Sequence, residues 1–130
     1  MTRTHHPSPR FQLRLVADRE IVVGPGKIEL LEAIERHGSI AAACREMGLS
    51  YKKAWQLLDT MNRHLAAPVI DTVTGGTRRG GATLTVEGRA LVDDYRRLMA
   101  DLVDSPHGKT LLNRLASTGT PDAEAAADAD

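Results

Sequence analysis

The feature that most constrains the fold is a short turn, Gly48-Leu49-Ser50, between two segments with helical periodicity. The segment before it, residues 40–47, is rich in alanine, so another helix can approach it closely. In the segment after it, residues 51–65, apolar side chains recur three and four positions apart, and Ser50 is the expected N-cap. Two helices joined by a short turn that contains glycine are typical of a helix-turn-helix. The sequence therefore predicts this motif over residues 40–65.

Further elements flank this motif on both sides. Residues 27–37 predict a helix that ends at Gly38. Residues 69–73 and 82–84 predict two strands around a glycine-rich loop, and Thr85 is the expected cap of a long last helix. A helix-turn-helix followed by such a hairpin is a winged helix.

The N-terminal part of the chain predicts a β-hairpin. Apolar and polar residues alternate over residues 11–15, as in a half-buried strand. Residues 17–20 are polar and typical of a turn, and residues 21–23 form a second apolar run. The predicted fold class is therefore mainly α with a small β component: a winged helix-turn-helix with an N-terminal β-hairpin and a long C-terminal helix.

The charge of the chain is unevenly distributed. The net charge is zero, but residues 1–100 hold 15 of the 17 Lys and Arg residues and 11 of the 17 Asp and Glu residues, which gives +4. Residues 101–130 hold the remainder, which gives −4. A basic domain with an acidic tail suits a nucleic-acid partner, although the whole-chain charge hides it.

We expect three regions along the chain. Residues 1–9 are expected to be disordered, residues 10–104 to form the winged helix-turn-helix domain, and residues 105–130 to form an acidic, largely disordered tail with a weak helical patch at 111–115. The first ten residues have no apolar run typical of a secretory signal, and no apolar stretch approaches the ~20 residues that span a bilayer. A cytoplasmic location without a membrane partner is therefore expected.

No group of residues points to catalysis, a cofactor or a metal. Cys44 is the only cysteine, which excludes an internal disulfide framework and a thiolate zinc site. His37, His64 and His107 are scattered without the spacing of metal ligands. We therefore expect a protein that is not an enzyme and that uses no cofactor.

The second helix of the motif supplies the residues expected to contact DNA, because its N-terminal end enters the major groove. Lys52 and Lys53 can donate to phosphates or guanine edges, and Gln56 can recognise adenine. Ser50 is either a cap alone or also a phosphate contact, and Trp55 lies either on the sugar–phosphate backbone or wholly or partly in the core. The alternative is an ordinary solvated helix face. The predicted contact residues are Ser50, Tyr51, Lys52, Lys53, Trp55 and Gln56.

The glycine-rich loop between the two later strands is the expected wing. Glycines let the backbone approach a phosphate closely, and Arg78 and Arg79 supply the charge that a narrow minor groove attracts. The alternative is a solvated hairpin turn. Over residues 50–81, five basic residues stand against two acidic ones, a net charge of +3. The predicted wing contacts are Thr74, Gly75, Gly76, Thr77, Arg78, Arg79, Gly80 and Gly81.

The long last helix predicts a contact between two copies of the chain. Four large side chains recur on one of its faces and suit a homodimer. The alternative is that they cover the core of their own domain. The four residues are Leu91, Tyr95, Leu98 and Leu102.

Five short motifs and one further glycine follow one another in a specific order between residues 27 and 98. They are Gly38-Ser39-Ile40, Ser50-Tyr51-Lys52-Lys53-Ala54-Trp55, Met61-Asn62, Thr74-Gly75-Gly76, Gly80-Gly81-Ala82-Thr83-Leu84-Thr85 and Gly88. In this order and spacing the sequence resembles the N-terminal DNA-binding domain of the molybdate-responsive ModE family of transcriptional regulators. The LysR-type regulators share the winged-helix plan more distantly.

The resemblance implies sequence-specific binding of a homodimer to double-stranded promoter DNA, with residues 50–55 in the major groove and residues 75–81 as the wing. It also suggests a link to molybdenum metabolism. Full-length members of the family carry C-terminal domains that bind molybdate or tungstate, and this sequence shows no strands of that kind. Binding of either oxyanion is therefore not expected in this chain. The alternative function is a winged-helix protein–protein interaction module with no specific DNA target.

Overall fold

The computed structural model describes residues 8–72 and 81–115. The predicted loop at 73–80 and the chain ends at 1–7 and 116–130 lie outside the described residues. The elements, in chain order, are β1 (Leu15–Ala17), β2 (Glu20–Val23), α1 (Pro25–His37), α2 (Ile40–Met47), α3 (Tyr51–His64), β3 (Ile70–Thr72), β4 (Ala82–Leu84), α4 (Val86–Asp104) and α5 (Pro106–Asn113). This order confirms the predicted fold class. The elements between Leu13 and Arg97 form one compact unit, which contains the candidate site.

The N-terminal hairpin is present, and its turn lies within the predicted residues 17–20, but its first strand lies later in the chain than predicted. The strand expected over residues 11–15 is observed from Leu15, and all three residues of β1 are exposed. Phe11 and Leu13, the half-buried side chains of the predicted alternation, lie before β1. The turn consists of Asp18 and Arg19, whose φ angles are 50° and 66°. Two successive positive φ values are those of a type I′ turn, which suits the twist of paired antiparallel strands. The turn lies within the polar residues 17–20 that predicted it, although neither of its central residues is glycine.

The turn between α1 and α2 is built by two residues with different conformational preferences. Gly38 ends α1 with a φ of 70°, in the left-handed region that favours glycine. Ser39 then caps α2, because its Oγ accepts a hydrogen bond from the backbone N–H of Ala42 at 2.9 Å. The predicted end of α1 and the predicted cap of α2 are confirmed. The start of α1 is two residues earlier than predicted, at Pro25, since proline suits the first helical position.

The core of this unit is almost entirely aliphatic. In α3, Ala54, Leu58 and Met61 are fully buried as predicted, whereas Leu57 and Leu65 are only half-buried. Full burial of one aliphatic side chain of this size stabilises a fold by about 2 kcal/mol. The core therefore holds α3 against the other elements by one narrow, fully buried stripe, and the opposite side of the first two turns is exposed. The largest fully buried side chains are Ile28, Leu30, Leu31, Ile34, Leu58, Met61, Val23 and Val69.

The two strands that follow α3 form a root that is fixed to the helix-turn-helix. They pair antiparallel, with Thr72 opposite Ala82. The backbone N–H of Ala82 donates to the carbonyl of Gly38 at 2.9 Å, and Gly81 forms an isolated bridge with Ser39. The start of β4 therefore lies against the turn that precedes α2.

The start of α4 is packed tightly against the chain segment before β3. Thr85 Oγ1 accepts a hydrogen bond from the N–H of Gly88 at 2.9 Å and donates one to the carbonyl of Pro68 at 2.7 Å. A Cβ atom at Gly88 would stand 2.3 Å from the carbonyl oxygen of Val69. Only glycine fits at this position, because the backbone of Val69 lies too close for a side chain.

A short helix, α5, follows α4 after a sharp turn. Ser105 caps it by accepting from the N–H of Gly108 at 2.9 Å, and the same hydroxyl donates to the carbonyl of Leu102 at 2.9 Å. The helical patch predicted at residues 111–115 is thus found earlier, at Pro106–Asn113. The proline and the serine cap explain the earlier start, and the helix occupies part of the segment that was expected to be largely disordered.

Candidate nucleic-acid interface

The N-terminal end of α3 is fixed by Ser50. Its Oγ accepts a hydrogen bond from the backbone N–H of Lys53 at 3.0 Å, so the predicted cap is confirmed. The buried thiol of Cys44 lies 3.8 Å from the carbonyl oxygen of Ser50, which joins the end of α2 to the turn. Ser50 itself remains exposed, so the residue that starts the helix also lies at the surface of the motif.

The exposed face of α3 carries the polar side chains predicted to contact DNA. Lys52 and Gln56 are both exposed, on the side of the helix away from Ala54 and Leu58. They are four residues apart, so they lie above one another on one face. The face that the core leaves uncovered is therefore the predicted contact face.

The charge at the start of α3 opposes what helix stability alone favours. The first turn holds Lys52 and Lys53 and no acidic residue. The N-terminal end of a helix carries partial positive charge, which disfavours cations there. A glutamate in place of Lys53 would complete a capping box with Ser50 and would stabilise the helix. The sequence keeps positive charge where the fold does not need it, which indicates a partner with negative charge.

The two aromatic side chains of the motif form an exposed pair. The ring centroids of Tyr51 and Trp55 are 6.3 Å apart and the rings are nearly perpendicular, an edge-to-face arrangement. Trp55 retains 36% of its exposure and Tyr51 is more exposed still. Trp55 is therefore partly buried against its own domain, as one of its two predicted positions has it, and the rest of its surface stays exposed.

Arg63, which sequence reasoning counted among the basic residues of this segment, is neutralised within the fold. Its Nε donates to Asp59 at 3.0 Å, and its Nη1 lies 3.4 Å from Glu20 of β2. Hydrogen bonds from His64 and then from Arg63 lower the pKa of Glu20 below its ordinary value. The charge of +3 counted for residues 50–81 therefore overstates the positive charge presented by α3, which is confined to its first two turns.

A basic residue that sequence reasoning missed lies next to this end of α3. Lys27, in the first turn of α1, donates from its Nζ to the carbonyl of Ile21 at 2.6 Å. The pKa of Lys27 is lowered, first by desolvation and next by the positive charge of Lys53. No motif or periodicity connects these two lysines, so only the folded chain reveals that they are neighbours.

Of the predicted wing, the residues Thr74, Gly75, Gly76, Thr77, Arg78, Arg79 and Gly80 lie outside the described residues. Gly81 is described, and its bridge with Ser39 lies directly before α2. The wing contacts therefore stay a prediction, with a root whose position is known.

The predicted dimer residues differ in how much surface they offer. Tyr95 is only 5% exposed, and its hydroxyl donates to the carbonyl of Leu13 at 2.8 Å, so its ring covers its own core as in the alternative interpretation. Leu91 is half-buried and lines an open, largely apolar groove of about 250 Å³ together with Leu65 and Val69. Leu98 is 45% exposed, whereas Leu102 is half-buried.

The basic residues on α4 form ion pairs, unlike the lysines at the start of α3. Arg89 donates to Glu35 at 2.9 Å, and Arg96 donates to both carboxylate oxygens of Glu32, at 2.9 and 2.5 Å. Arg97 likewise pairs with an aspartate one turn earlier in α4. These basic residues are paired with carboxylates of α1 and α4 and are not available to an anionic partner.

The part of the chain that the structure describes has neither a metal-ligand group nor a membrane-spanning helix. No three His, Cys, Asp or Glu side chains there are grouped as the ligands of a metal ion. None of its helices combines the length and the apolar character that crossing a membrane requires.

Comparison with known proteins bears on this site directly. The family model described as "Bacterial regulatory helix-turn-helix protein, lysR family" matches residues 26–89, from the start of α1 to the first turn of α4. It therefore covers α3 and both strands of the wing root.

Several curated proteins are similar to the same region. "Molybdenum-pterin-binding protein MopA" of Rhodobacter capsulatus is 49% identical over 73 residues, which cover 56% of this chain and 28% of that protein. "Molybdenum transport protein ModE" of Azotobacter vinelandii is 44% identical over 91 residues, 68% of this chain and 34% of that protein. "DNA-binding transcriptional dual regulator ModE" of Escherichia coli (strain K12) is 35% identical over 83 residues, 64% of this chain and 32% of that protein.

The matches fall in the N-terminal region of these proteins, so the resemblance to the ModE family is confirmed for that region. The chain spans about a third of the length of the curated relatives it matches. Residues 26–89 are therefore a helix-turn-helix domain of the bacterial regulatory LysR family, and the chain is a homologue of the N-terminal region of the ModE proteins.

Proposed function

We propose that this protein is a transcription regulator that binds specific sequences in double-stranded promoter DNA as a homodimer and that acts in molybdenum metabolism. The observation that carries the proposal is the first turn of α3, where Ser50 caps the helix and two exposed lysines replace the acidic residues that helix stability favours. One ModE relative is named a DNA-binding transcriptional dual regulator and another a molybdenum transport protein. We therefore expect a cytoplasmic location, because a promoter-binding regulator acts where the chromosome lies.

The N-terminal end of α3 enters the major groove in this proposal. Lys52 and Gln56 face the base edges, where Lys donates to guanine and Gln forms paired hydrogen bonds with adenine. Lys53 contacts a phosphate, and the cap hydroxyl of Ser50 lies close enough to the helix start to contact another. The exposed rings of Tyr51 and Trp55 add apolar contacts at the edge of the groove.

The wing contacts the adjoining groove. Its root lies against the start of α2, which supports a position of residues 74–80 beside the helix-turn-helix. Arg78 and Arg79 then insert into a minor groove, where narrow walls concentrate negative potential. Removal of these two arginines should weaken binding most on A·T-rich flanking sequence.

Two copies of the chain would place their α3 helices on half-sites ~34 Å apart, so the operator is expected to be palindromic. The groove beside Leu91 supplies apolar surface for this dimer. Tyr95 is excluded from the contact because its ring and hydroxyl are committed to its own domain.

The decisive experiment compares Lys52→Ala/Gln56→Ala with the wild-type protein on duplexes selected from a random pool. The double variant should lose at least ~100-fold in affinity for the selected sequence, since each good base contact is worth about 1–3 kcal/mol. Its circular dichroism should be unchanged, because both side chains are exposed. Trp55 is the sole tryptophan, so a change in its emission on DNA binding reports the contact directly.

Arg97→Ala is the matched control, since it removes an exposed cation that is paired within α4. Retained sequence preference in the double variant would reject the assignment of α3 to the groove. Weak DNA binding that does not fall with salt would favour the alternative, a protein–protein interaction module, because phosphate contacts make DNA affinity strongly salt-dependent.

A further inference from the structure

The basic surface at the start of α3 continues onto the N-terminal hairpin through two residues outside the helix-turn-helix. Lys27 lies in the first turn of α1 and is anchored to β2 by the hydrogen bond from its Nζ to the carbonyl of Ile21 at 2.6 Å. Arg14 directly precedes β1, and its Cγ would stand 3.5 Å from a Cβ atom on Gly24, the residue that precedes α1. The stem of Arg14 therefore crosses the start of α1, beside Lys27.

These cations repel one another in the folded chain. Desolvation is the first cause that lowers the pKa of Lys27, and the charge of Lys53 is the second. The carboxylate of Glu20 opposes the shift, and the charge of Arg14 adds to it. Arg14 and Lys27 both lie against residues 21–24, and α3 packs on β2 and α1. We therefore group the three cations as the hairpin cluster: Arg14, Lys27 and Lys53.

Among the described residues, the cluster forms no ion pair with a carboxylate. The first turn of α1 has no acidic residue. Glu20, the carboxylate that acts on Lys27, is already hydrogen-bonded to His64 at 2.5 Å and lies 3.4 Å from Arg63. Across residues 8–72 and 81–115, no carboxylate forms an ion pair with a member of the cluster. An ammonium that uses one of its three donors on a carbonyl keeps two for another acceptor.

We propose that the hairpin cluster binds the phosphate backbone of one DNA strand beside the groove that α3 enters, so that the N-terminal hairpin is part of the DNA interface. This inference rests on the proposed function. Lys53 lies on the flank of α3, about 100° around the helix from Lys52, so it faces a groove wall when Lys52 faces the bases. Contacts to phosphates fix position without selecting sequence. The cluster therefore contributes affinity and salt dependence, and not sequence preference.

The test is a salt titration of Arg14→Gln/Lys27→Gln, which leaves α3 intact. Binding of a labelled mixed-sequence duplex of about two helical turns is measured by fluorescence anisotropy between about 50 and 200 mM salt. Each phosphate contact contributes about 0.9 to the slope of log affinity against log salt, so the slope should become shallower by about two. The affinity ratio between a selected and a mixed-sequence duplex should stay as in the wild-type protein.

Arg89→Gln/Arg97→Gln is the matched control, because it removes the same net charge from cations that are paired with Glu35 and Asp93. Its slope should equal that of the wild-type protein. An equal change in both double variants would overturn the proposal, since the effect would then follow net charge. An unchanged slope in Arg14→Gln/Lys27→Gln would also overturn it and would leave the role of α3 intact.

The hydrogen bond of Lys27 to β2 also has a structural role, so stability is measured in parallel by urea unfolding. If the double variant is not folded, Arg14→Gln alone decides the question, because Arg14 donates no hydrogen bond within the described residues. That variant should lose about one unit of slope. A wild-type protein whose binding to duplex DNA does not depend on salt would overturn both this inference and the proposed function.

Discussion

The face of α4 and the first turn of α3 are both rich in basic residues, but they use charge in different ways. On α4, Arg89, Arg96 and Arg97 each hold a carboxylate of α1 or of α4 itself. At the start of α3, Lys52 and Lys53 have no carboxylate partner among the described residues. One surface is neutral although it is rich in arginine, and the other is positive although it carries only a few cations.

Net charge is therefore a poor guide to a binding surface. Exposed ion pairs contribute only about 0.2–1 kcal/mol each, but they cancel the field that attracts an anion. Unpaired cations stabilise nothing within the fold and retain that field. The net charge of the chain is zero, but the cations that are not paired with carboxylates form a positive surface at the start of α3.

The largest expected effect is a loss of stability on the α4 side. Gly88→Ala would place a Cβ atom 2.3 Å from the carbonyl oxygen of Val69, so backbone must move at the junction of α4 and β3. We expect the free energy of unfolding to fall by about 3 kcal/mol, the upper range for overpacking. Urea unfolding measures it. Gly26→Ala is the control, since no atom lies within 4 Å of its new Cβ and alanine favours helix; a similar loss in both variants would contradict the packing argument.

The next effect separates binding from stability at the start of α3. Lys53→Glu completes a capping box with Ser50, so the free energy of unfolding should stay the same or rise by up to about 1 kcal/mol. The same change reverses the charge of a phosphate contact, and DNA affinity should fall about thirtyfold, or about 2 kcal/mol. Urea unfolding and fluorescence anisotropy measure the two quantities. Loss of stability together with loss of binding would show that Lys53 serves the fold.

Local signals account for the parts of the molecule that the sequence predicted well. Gly38, Ser39, Ser50 and Thr85 end or cap helices through contacts within four residues, so their roles follow from residue type and spacing. Gly88, another of the residues that resemble the ModE family, instead admits the backbone of Val69, which is distant in the chain, and it does not lie in the predicted contact face. The contact face of α3 was predictable because a narrow apolar stripe defines the opposite side.

Features that depend on distant contacts were missed. The neutralisation of Arg63 requires Glu20, which lies 43 residues away in the chain. The proximity of Lys27 to Lys53 requires α1, β2 and α3 to be packed together. The first strand of the hairpin was predicted too early because the alternation of apolar residues begins at Phe11, before the residues that pair with β2. Periodicity and caps describe an element and its ends, whereas charge pairing between elements appears only in the fold.

A smaller effect is expected when charge is reversed on the paired face. Arg96→Glu removes two hydrogen bonds to Glu32 and places like charges together. Both side chains are partly exposed, so the loss of stability should be about 1 kcal/mol. DNA affinity should stay within about twofold of wild type. A loss of affinity comparable to that of Lys53→Glu would break the distinction between the two faces.

The smallest effect concerns pH and the ion pairs that separate the two regions. Hydrogen bonds from His64 and Arg63 lower the pKa of Glu20, so its contribution to stability is present above the pKa of the unfolded chain, about 4.3, and is lost as pH falls through the lower folded value. Wild-type protein should therefore lose stability as the pH falls from about 5 towards 3, and Glu20→Gln should lose less over that range. Glu29→Gln, at an exposed position with no ion pair among the described residues, should follow the wild-type curve. At neutral pH, Glu20→Gln should raise DNA affinity only slightly, since Asp59 still holds Arg63 at 3.0 Å and Glu20 acts on Lys27 through its charge without an ion pair. A marked gain in affinity that persists when Lys27 is also replaced by Gln would mean that Arg63 reaches DNA once Glu20 is neutral, and that the positive surface extends along the whole of α3.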